Sequence, residues 1–277
     1  MSIKIVADSS ADILNLEGVD FSFAPLKIVT TDKEFCDDEN LNVEEMINFL
    51  KDYKGKSSSS CPNCNDFLRA FGDAKEIICF TISGNISGSY NAALMAKDTF
   101  ESEHQGCKVF VIDTLSAGPE ITLAIYKARS LILEGLPFDE VCEKTVEYTK
   151  NTGLVFVLES LQNFANNGRV SHLTAKMAGV LGIRVVCKAS DDGLLEPISK
   201  CRGESNSFNA IIKHLEENGL KEGKVFIAHC LNESGVKTLS HLIEVYFPNV
   251  EISVFKNRGL CSFYAEKGGI LVAFEKC

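Results

Sequence analysis

Apolar residues along this chain follow two spacings, which alternate from one segment to the next. Short continuous apolar runs such as IKIVAD (3–8), IICFTI (77–82) and KVFVID (108–113) are typical of strands buried on both faces. Between them apolar residues recur at helical spacing, as in the helix predicted from Pro119 to Leu133. This repeated β–α succession predicts a largely parallel sheet with helices on both faces.

Other N-terminal segments fit the same scheme. FAPLKIV (23–29) predicts a strand, and Pro25 indicates an edge position or a bulge. A helix is predicted to begin at Asn42, with Glu45 three residues on as its capping partner. Two further helices are predicted over 90–104 and 137–152.

The pattern changes near residue 153. A strand over 153–160 is followed by two predicted helices separated by a break at 166–168, and strands over 184–190 and 194–201 flank Asp191-Asp192-Gly193, a hairpin signal. Alternating helices and strands then complete a second α/β domain with a mixed sheet. We place the domains at 1–155 and 156–277. Because no linker separates them, we expect close packing and a ligand cleft between them.

Two Ser/Gly segments about thirty residues apart are the candidate ligand site. Ser57–Ser60 is one, and Gly84–Ser89, between a predicted strand and a predicted helix, is the other. Serine hydroxyls, glycine backbone and the free N–H groups of a helix start favour a carboxylate or a phosphate. The alternative is a plain surface loop and a plain capped turn.

Composition narrows the class of protein. The chain has 277 residues, 45% of them hydrophobic, and a formal net charge of −10. That charge argues against nucleic acid or an anionic membrane as the main partner. No apolar run reaches the length of a membrane-spanning helix, and the N-terminus does not read as a signal peptide, so we expect a cytoplasmic protein without stable membrane insertion.

Eleven cysteines are scattered along the chain, and we interpret most of them as reduced core thiols. Cys61 and Cys64 form a C-x-x-C pair, for which structural coincidence, a redox pair and half of a metal site remain open. No second ligand pair with zinc spacing is present in the sequence, so no metal site is predicted.

The common catalytic motifs are absent. The sequence contains no Ser/His/Asp order, G-x-S-x-G elbow, Walker-type motif or G-x-G-x-x-G segment. Arg169 directly follows the Asn-Asn-Gly break, where we expect its side chain to project outward.

Taken in order, the motifs of this chain resemble those of the DegV family, over essentially the whole length. The most specific are the Ser-Gly-x-x-Ser-Gly-Ser block and the Asn-Gly-Arg-Val-Ser block. The other matching segments are IKIVADSSADI, APLKI, the serine run into CPNCNDF, VIDTLSAG and LGIRVV. The resemblance implies a non-enzymatic, two-domain α/β protein that holds a long-chain fatty acid such as palmitate, stearate or oleate, needs no cofactor, and presents the acid to a separate fatty acid kinase for acyl-phosphate formation. The alternative is a thiol redox enzyme that uses Cys61 and Cys64.

The resemblance also assigns residues. The hydroxyl turn that holds the carboxylate falls on Ser59 and Ser60, and the second block falls on Ser87, Gly88 and Ser89. The arginine that engages the kinase falls on Arg169. Where many members carry a histidine beside the carboxylate this chain has Tyr264, which can donate a hydrogen bond but carries no positive charge.

Overall fold

The computed structural model describes residues 3–171 and 182–276. Its first domain alternates strands and helices around a parallel sheet. The strands are β1 (Ile3–Asp8), β2 (Asp20–Ala24), β3 (Lys27–Thr30), β4 (Glu34–Cys36), β5 (Ser57–Ser60), β6 (Glu76–Thr81) and β7 (Lys108–Asp113); the helices are α1 (Val43–Asp52), α2 (Cys64–Phe71), α3 (Ser89–Glu103), α4 (Pro119–Leu133) and α5 (Phe138–Thr149).

The second domain is built on a larger mixed sheet. Its strands are β8 (Thr152–Leu158), β9 (Ile183–Ala189), β10 (Leu195–Arg202), β11 (Glu222–His229), β12 (Asn249–Lys256) and β13 (Ile270–Glu275); its helices in the described part of the chain are α6 (Gln162–Asn166), α7 (Glu204–Glu217), α8 (Glu233–Tyr246) and α9 (Gly259–Ala265). The second helix predicted after the break at 166–168 falls largely on residues 172–181, which lie outside the described residues.

The first domain has a four-stranded parallel sheet in the order β2-β1-β6-β7. Helices α2 and α3 pack on one face around Phe67 and Phe71, and α4 and α5 pack on the other around Ile121 and Val141. The predicted parallel sheet covered on both faces is therefore confirmed. The parallel strands end at one edge of the sheet, and the β6–α3 loop at that edge carries Ser87 and Gly88.

A small antiparallel sheet, β4-β3-β5, is a feature that the sequence pattern did not predict. The predicted strand 23–29 is divided between β2 in the parallel sheet and β3 in this one. Ser57–Ser60, expected as a turn, is strand β5, with Ser59 opposite Ile28. Alternate serines are half-buried and exposed along β5, which directs Ser59 inward.

The sheet of the second domain has the order β10-β9-β8-β13-β11-β12, with only β11 and β12 parallel. The predicted hairpin is present as β9 and β10. Helices α7 and α8 cover one face around Phe208 and Leu239. The other face, with Phe156 and Leu158, packs toward the first domain and shares a core with α1, α4 and β3. The two α/β domains are thus closely packed; the boundary at 155/156 stays a prediction.

Candidate functional site

A cavity of about 360 Å³ lies between the two domains. Its walls are mostly apolar. The second domain contributes side chains from the inner face of its sheet, and the first domain contributes residues from the loops at the end of its parallel sheet. These apolar residues include Leu154, Phe156, Leu158 and Leu271 from the sheet, and Leu26, Ile82 and Ile86 from the first domain.

Polar side chains gather at one end of this cavity. Ser59 and Ser60 of β5, Ser87 of the β6–α3 loop, Arg169 and Tyr264 of α9 all line it. The hydroxyl oxygens of Ser59 and Tyr264 lie 2.7 Å apart and share a hydrogen bond. Residues separated by 205 positions in sequence therefore meet at this end.

The second serine block lies at the start of α3. Ser87 lines the cavity, and its Oγ accepts a hydrogen bond from the Ser89 N–H at 3.2 Å. Gly88 is the N-cap residue and provides no side-chain cap, so the first turn of the helix keeps donors for an anion. A Cβ on Gly88 would lie 3.1 Å from the Cys61 sulfur, which explains why glycine suits this close contact.

Ser89 lies behind the cavity wall and does not line it. Its hydroxyl donates to Asp8 at 2.5 Å, and Asp8 also accepts from the Ile82 N–H at 2.9 Å. Burial raises the pKa of Asp8, while these donors lower it. Ser89 was expected to contact the ligand; the structure shows it anchoring the β6–α3 loop to the end of β1.

Arg169 does not project outward as expected. Gly168, at φ +74°, turns the chain after α6, and the half-buried guanidinium folds back toward the β6–α3 loop. Its Nε donates to the Ile86 carbonyl at 3.1 Å, and Nη1 donates to the Asn167 carbonyl. Within residues 3–171 and 182–276 no carboxylate forms an ion pair with it, so its charge is available to an anion in the cavity.

Tyr264 is held by aromatic packing. Its ring centroid lies 4.6 Å from that of Phe164 and 4.9 Å from that of Phe263. Burial raises the pKa of Tyr264, and the Ser59 hydrogen bond and the Arg169 charge oppose this rise. The phenol is therefore protonated at neutral pH and can donate a hydrogen bond.

Helix α9, which carries Tyr264, is anchored to the first domain by Asp37. This buried carboxylate accepts from the backbone N–H groups of Gly259 at 2.8 Å and Leu260 at 2.9 Å, and from the Ser9 hydroxyl at 3.0 Å. Burial raises the pKa of Asp37, and these donors and Arg258 lower it. The sequence pattern did not predict α9 or this connection.

The two cysteines of the C-x-x-C pair occupy different environments. Cys61 lines the cavity beside Gly88, whereas Cys64 begins α2 and packs against the hydrophobic cluster of α2 and α3. Neither thiol is in a disulfide. No observation connects them to a redox function.

Two further properties of the described residues bear on the function of the site. No cluster of His, Cys, Asp and Glu in those residues has the arrangement needed to hold a metal ion. None of the described helices combines the length and apolar character that crossing a membrane requires.

Fold and site together define a two-domain α/β protein with an apolar interdomain cavity that ends in hydroxyls and a guanidinium. The DegV family model, described as "Uncharacterised protein, DegV family", matches residues 2–276. The chain therefore belongs to the DegV family. A DegV domain-containing protein of Streptococcus pneumoniae is 40% identical over 279 residues, which cover 99% of each chain.

Solved structures with the same fold contain lipids. A DegV family protein from Eubacterium eligens, loaded with heptadecanoic acid, is 39% identical, with a TM-score of 0.98 over 100% of both chains. The Fatty Acid Kinase (Fak) B3 protein of Streptococcus pneumoniae, loaded with linoleic acid, is 40% identical, with a TM-score of 0.97 over 100% of both chains. Both similarities extend over the complete chain.

Proposed function

We propose that this protein binds a long-chain fatty acid in the interdomain cavity and presents it to a separate kinase for acyl-phosphate formation. The observation that carries the proposal is the asymmetry of the cavity. Hydroxyls of Ser59, Ser87 and Tyr264 and the Arg169 guanidinium lie at one end, and apolar side chains form most of the remaining wall. A long-chain fatty acid has the same asymmetry, with a polar carboxylate at one end and an apolar hydrocarbon chain over the rest of its length.

The two ends contribute differently to affinity. A hydrogen bond to a charged acceptor is worth about 1.5–3 kcal/mol, and several donors are needed to offset removal of the carboxylate from water. The chain contributes about 0.8 kcal/mol for each buried CH₂. Most of the affinity therefore comes from the apolar wall, and the polar end fixes the orientation of the acid.

Transfer to a kinase requires an accessible carboxylate. Ser60 and Gly88 at the polar end are exposed, and Arg169 is half-buried beside them. Its planar guanidinium can pair with carboxylate or phosphoryl oxygens in a bidentate way. We therefore assign Arg169 a contact with the head group as well as with the kinase complex. The similarity to a Fatty Acid Kinase (Fak) B3 protein supports the proposed kinase step.

Binding is tested by extraction of the purified protein. Organic extraction followed by mass spectrometry is expected to recover about one long-chain fatty acid per chain. A delipidated sample is expected to take up oleate but not methyl oleate at comparable affinity, since the ester lacks the charge. A protein that binds neither would refute the proposal.

Presentation is tested separately with a bacterial fatty acid kinase catalytic subunit and ATP. Acyl phosphate, trapped as the hydroxamate, is expected only when kinase and loaded protein are both present. If the protein binds fatty acid but several such kinases form no acyl phosphate with it, the proposed binding function stands and the proposed presentation to a kinase is refuted.

A further inference from the structure

The polar end of the cavity lies beyond the carboxyl end of β8. Helix α6 follows that strand and holds Phe164 against the Tyr264 ring. From there Leu158, Phe156 and Leu154 line the cavity in order along β8. At about 3.3 Å per residue, this row extends roughly 13 Å from the polar end. A bound acyl chain therefore runs toward the amino end of β8.

A row of residues on three adjacent strands crosses the cavity at that far end. Ala189 of β9 lies opposite Leu195 of β10. On the other side of β9, Lys188 lies opposite Val155 of the antiparallel strand β8, so Ala189 lies level with Leu154. Leu154, Ala189 and Leu195 consequently lie at one level of the sheet, and all three line the cavity. Alanine is the smallest member, so the space at this level depends on its side chain.

The hairpin turn after Ala189 also lines the cavity, through Gly193 and Leu194. Gly193, at φ +69°, packs so closely on the first domain that a Cβ would lie 2.3 Å from the Ser83 hydroxyl and 2.8 Å from the Leu115 carbonyl oxygen. Asn85 donates to the Asp192 carbonyl at 2.7 Å. The hairpin is thus held against the first domain and cannot recede without breaking these contacts.

A buried polar bridge lies below the row. Glu120 accepts hydrogen bonds from the Ser116 hydroxyl and, at 2.6 Å, from the Thr152 hydroxyl. Thr152 precedes Leu154 by two positions, on the same face of β8. A methylene pushed into this bridge would separate hydrogen-bonded groups, which is unfavourable. The end of the cavity is therefore bounded by the sheet row, the hairpin and the bridge.

We propose that Leu154, Ala189 and Leu195 form the stop for the acyl chain, and that Ala189 sets the longest chain that the cavity accepts. This inference rests on the proposed fatty-acid binding. Ala189→Leu fills the space taken by the last methylenes, and Leu195→Ala opens space beyond them. Each methylene that loses its burial lowers affinity roughly fourfold.

The experiment measures chain-length preference directly. Delipidated wild type, Ala189→Leu and Leu195→Ala are each mixed with equimolar saturated fatty acids from dodecanoate to eicosanoate, and the retained acids are quantified by mass spectrometry. Ala210→Leu is the matched control, because Ala210 packs on the opposite face of the same sheet.

For Ala189→Leu we expect the stearate-to-myristate ratio to fall roughly fifteenfold, which corresponds to two excluded methylenes. For Leu195→Ala we expect enrichment in eicosanoate, and for Ala210→Leu the wild-type profile. A folded Ala189→Leu protein with the wild-type profile, or an equal shift in Ala210→Leu, would overturn the stop. If Ala189→Leu does not fold, Leu195→Ala decides: an unchanged profile refutes the inference. A wild type that retains no acid refutes the proposed function itself.

Discussion

Tyr264→Phe tests the polar end of the cavity with the least change in packing. Phenylalanine keeps the ring contacts with Phe164 and Phe263 and removes only the hydroxyl that lies 2.7 Å from the Ser59 oxygen. If that hydroxyl donates to the bound carboxylate, directly or by orienting Ser59, its loss removes a bond of about 1.5–3 kcal/mol. We therefore expect oleate affinity to fall about ten- to a hundredfold.

Stability should change much less than affinity. In the unliganded protein the lost bond joins two neutral hydroxyls, worth about 0.5–1.5 kcal/mol. For domains of this size 1 kcal/mol corresponds to about 2–4 °C in Tm. Isothermal titration with oleate and thermal melting of the delipidated protein separate the two effects.

Two further measurements sharpen the test. Tyr126→Phe is the control, since Tyr126 packs against Phe226 and Phe255 and does not line the cavity. In a double-mutant cycle, Tyr264→Phe and Ser59→Ala should be non-additive by at least about 0.5 kcal/mol, because they share one hydrogen bond. Oleate affinity of Tyr264→Phe within threefold of wild type, or a loss of the same size in Tyr126→Phe, would refute the assignment.

The other predictions concern the remaining polar groups. Ser87→Ala should lower oleate affinity about ten- to a hundredfold by titration, because a donor to the carboxylate is lost; wild-type affinity would contradict its role. Arg169→Ala should lower oleate affinity several-fold and should also lower the acyl-phosphate yield at saturating oleate; unchanged affinity would contradict the head-group contact, and normal yield at saturation would contradict the kinase contact. Burial raises the pKa of Glu120, so its stabilising contribution is present below its ordinary pKa of 4.5 and is lost as pH rises through the folded-state pKa. Hence Tm of wild type relative to Glu120→Gln should fall between pH 4 and pH 8; a pH-independent difference would contradict this.

Local signals in the sequence predicted much of the fold. The predicted bounds of β7 and α4 agree with the structure. Both rest on short-range features: β7 is a continuous apolar run, and α4 begins at Pro119 and is followed by Gly135. The hairpin at Asp191-Asp192-Gly193 is confirmed for the same reason. Strand 23–29 was wrong because Pro25 and Leu26 transfer the chain from one sheet to another, and pairing partners are not visible in a local pattern.

The site was less predictable from local pattern. Serine is typical of turns, so the run Ser57–Ser60 did not indicate a strand. Its pairing with β3 as strand β5 places Ser59 inward. The inward direction of the Arg169 side chain depends on the turn at Gly168 and on a hydrogen bond to the carbonyl of Ile86, 83 residues earlier in the chain. Helix α9 was missed although Gly259 precedes its apolar residues, since its start is held by Asp37 from the first domain. The resemblance to the family located Tyr264; the contact with Ser59 required the structure.

Asp37 has a consequence for the independence of the two domains. Its carboxylate lies between β4 and α1, yet two of its hydrogen bonds go to backbone groups more than 220 residues later. Separating the domains would break these hydrogen bonds and expose both the carboxylate and the start of α9 to water. The two domains are therefore coupled through Asp37. Exchange of a single domain between relatives must preserve the hydrogen bonds between Asp37 and the start of α9 as well as the cavity.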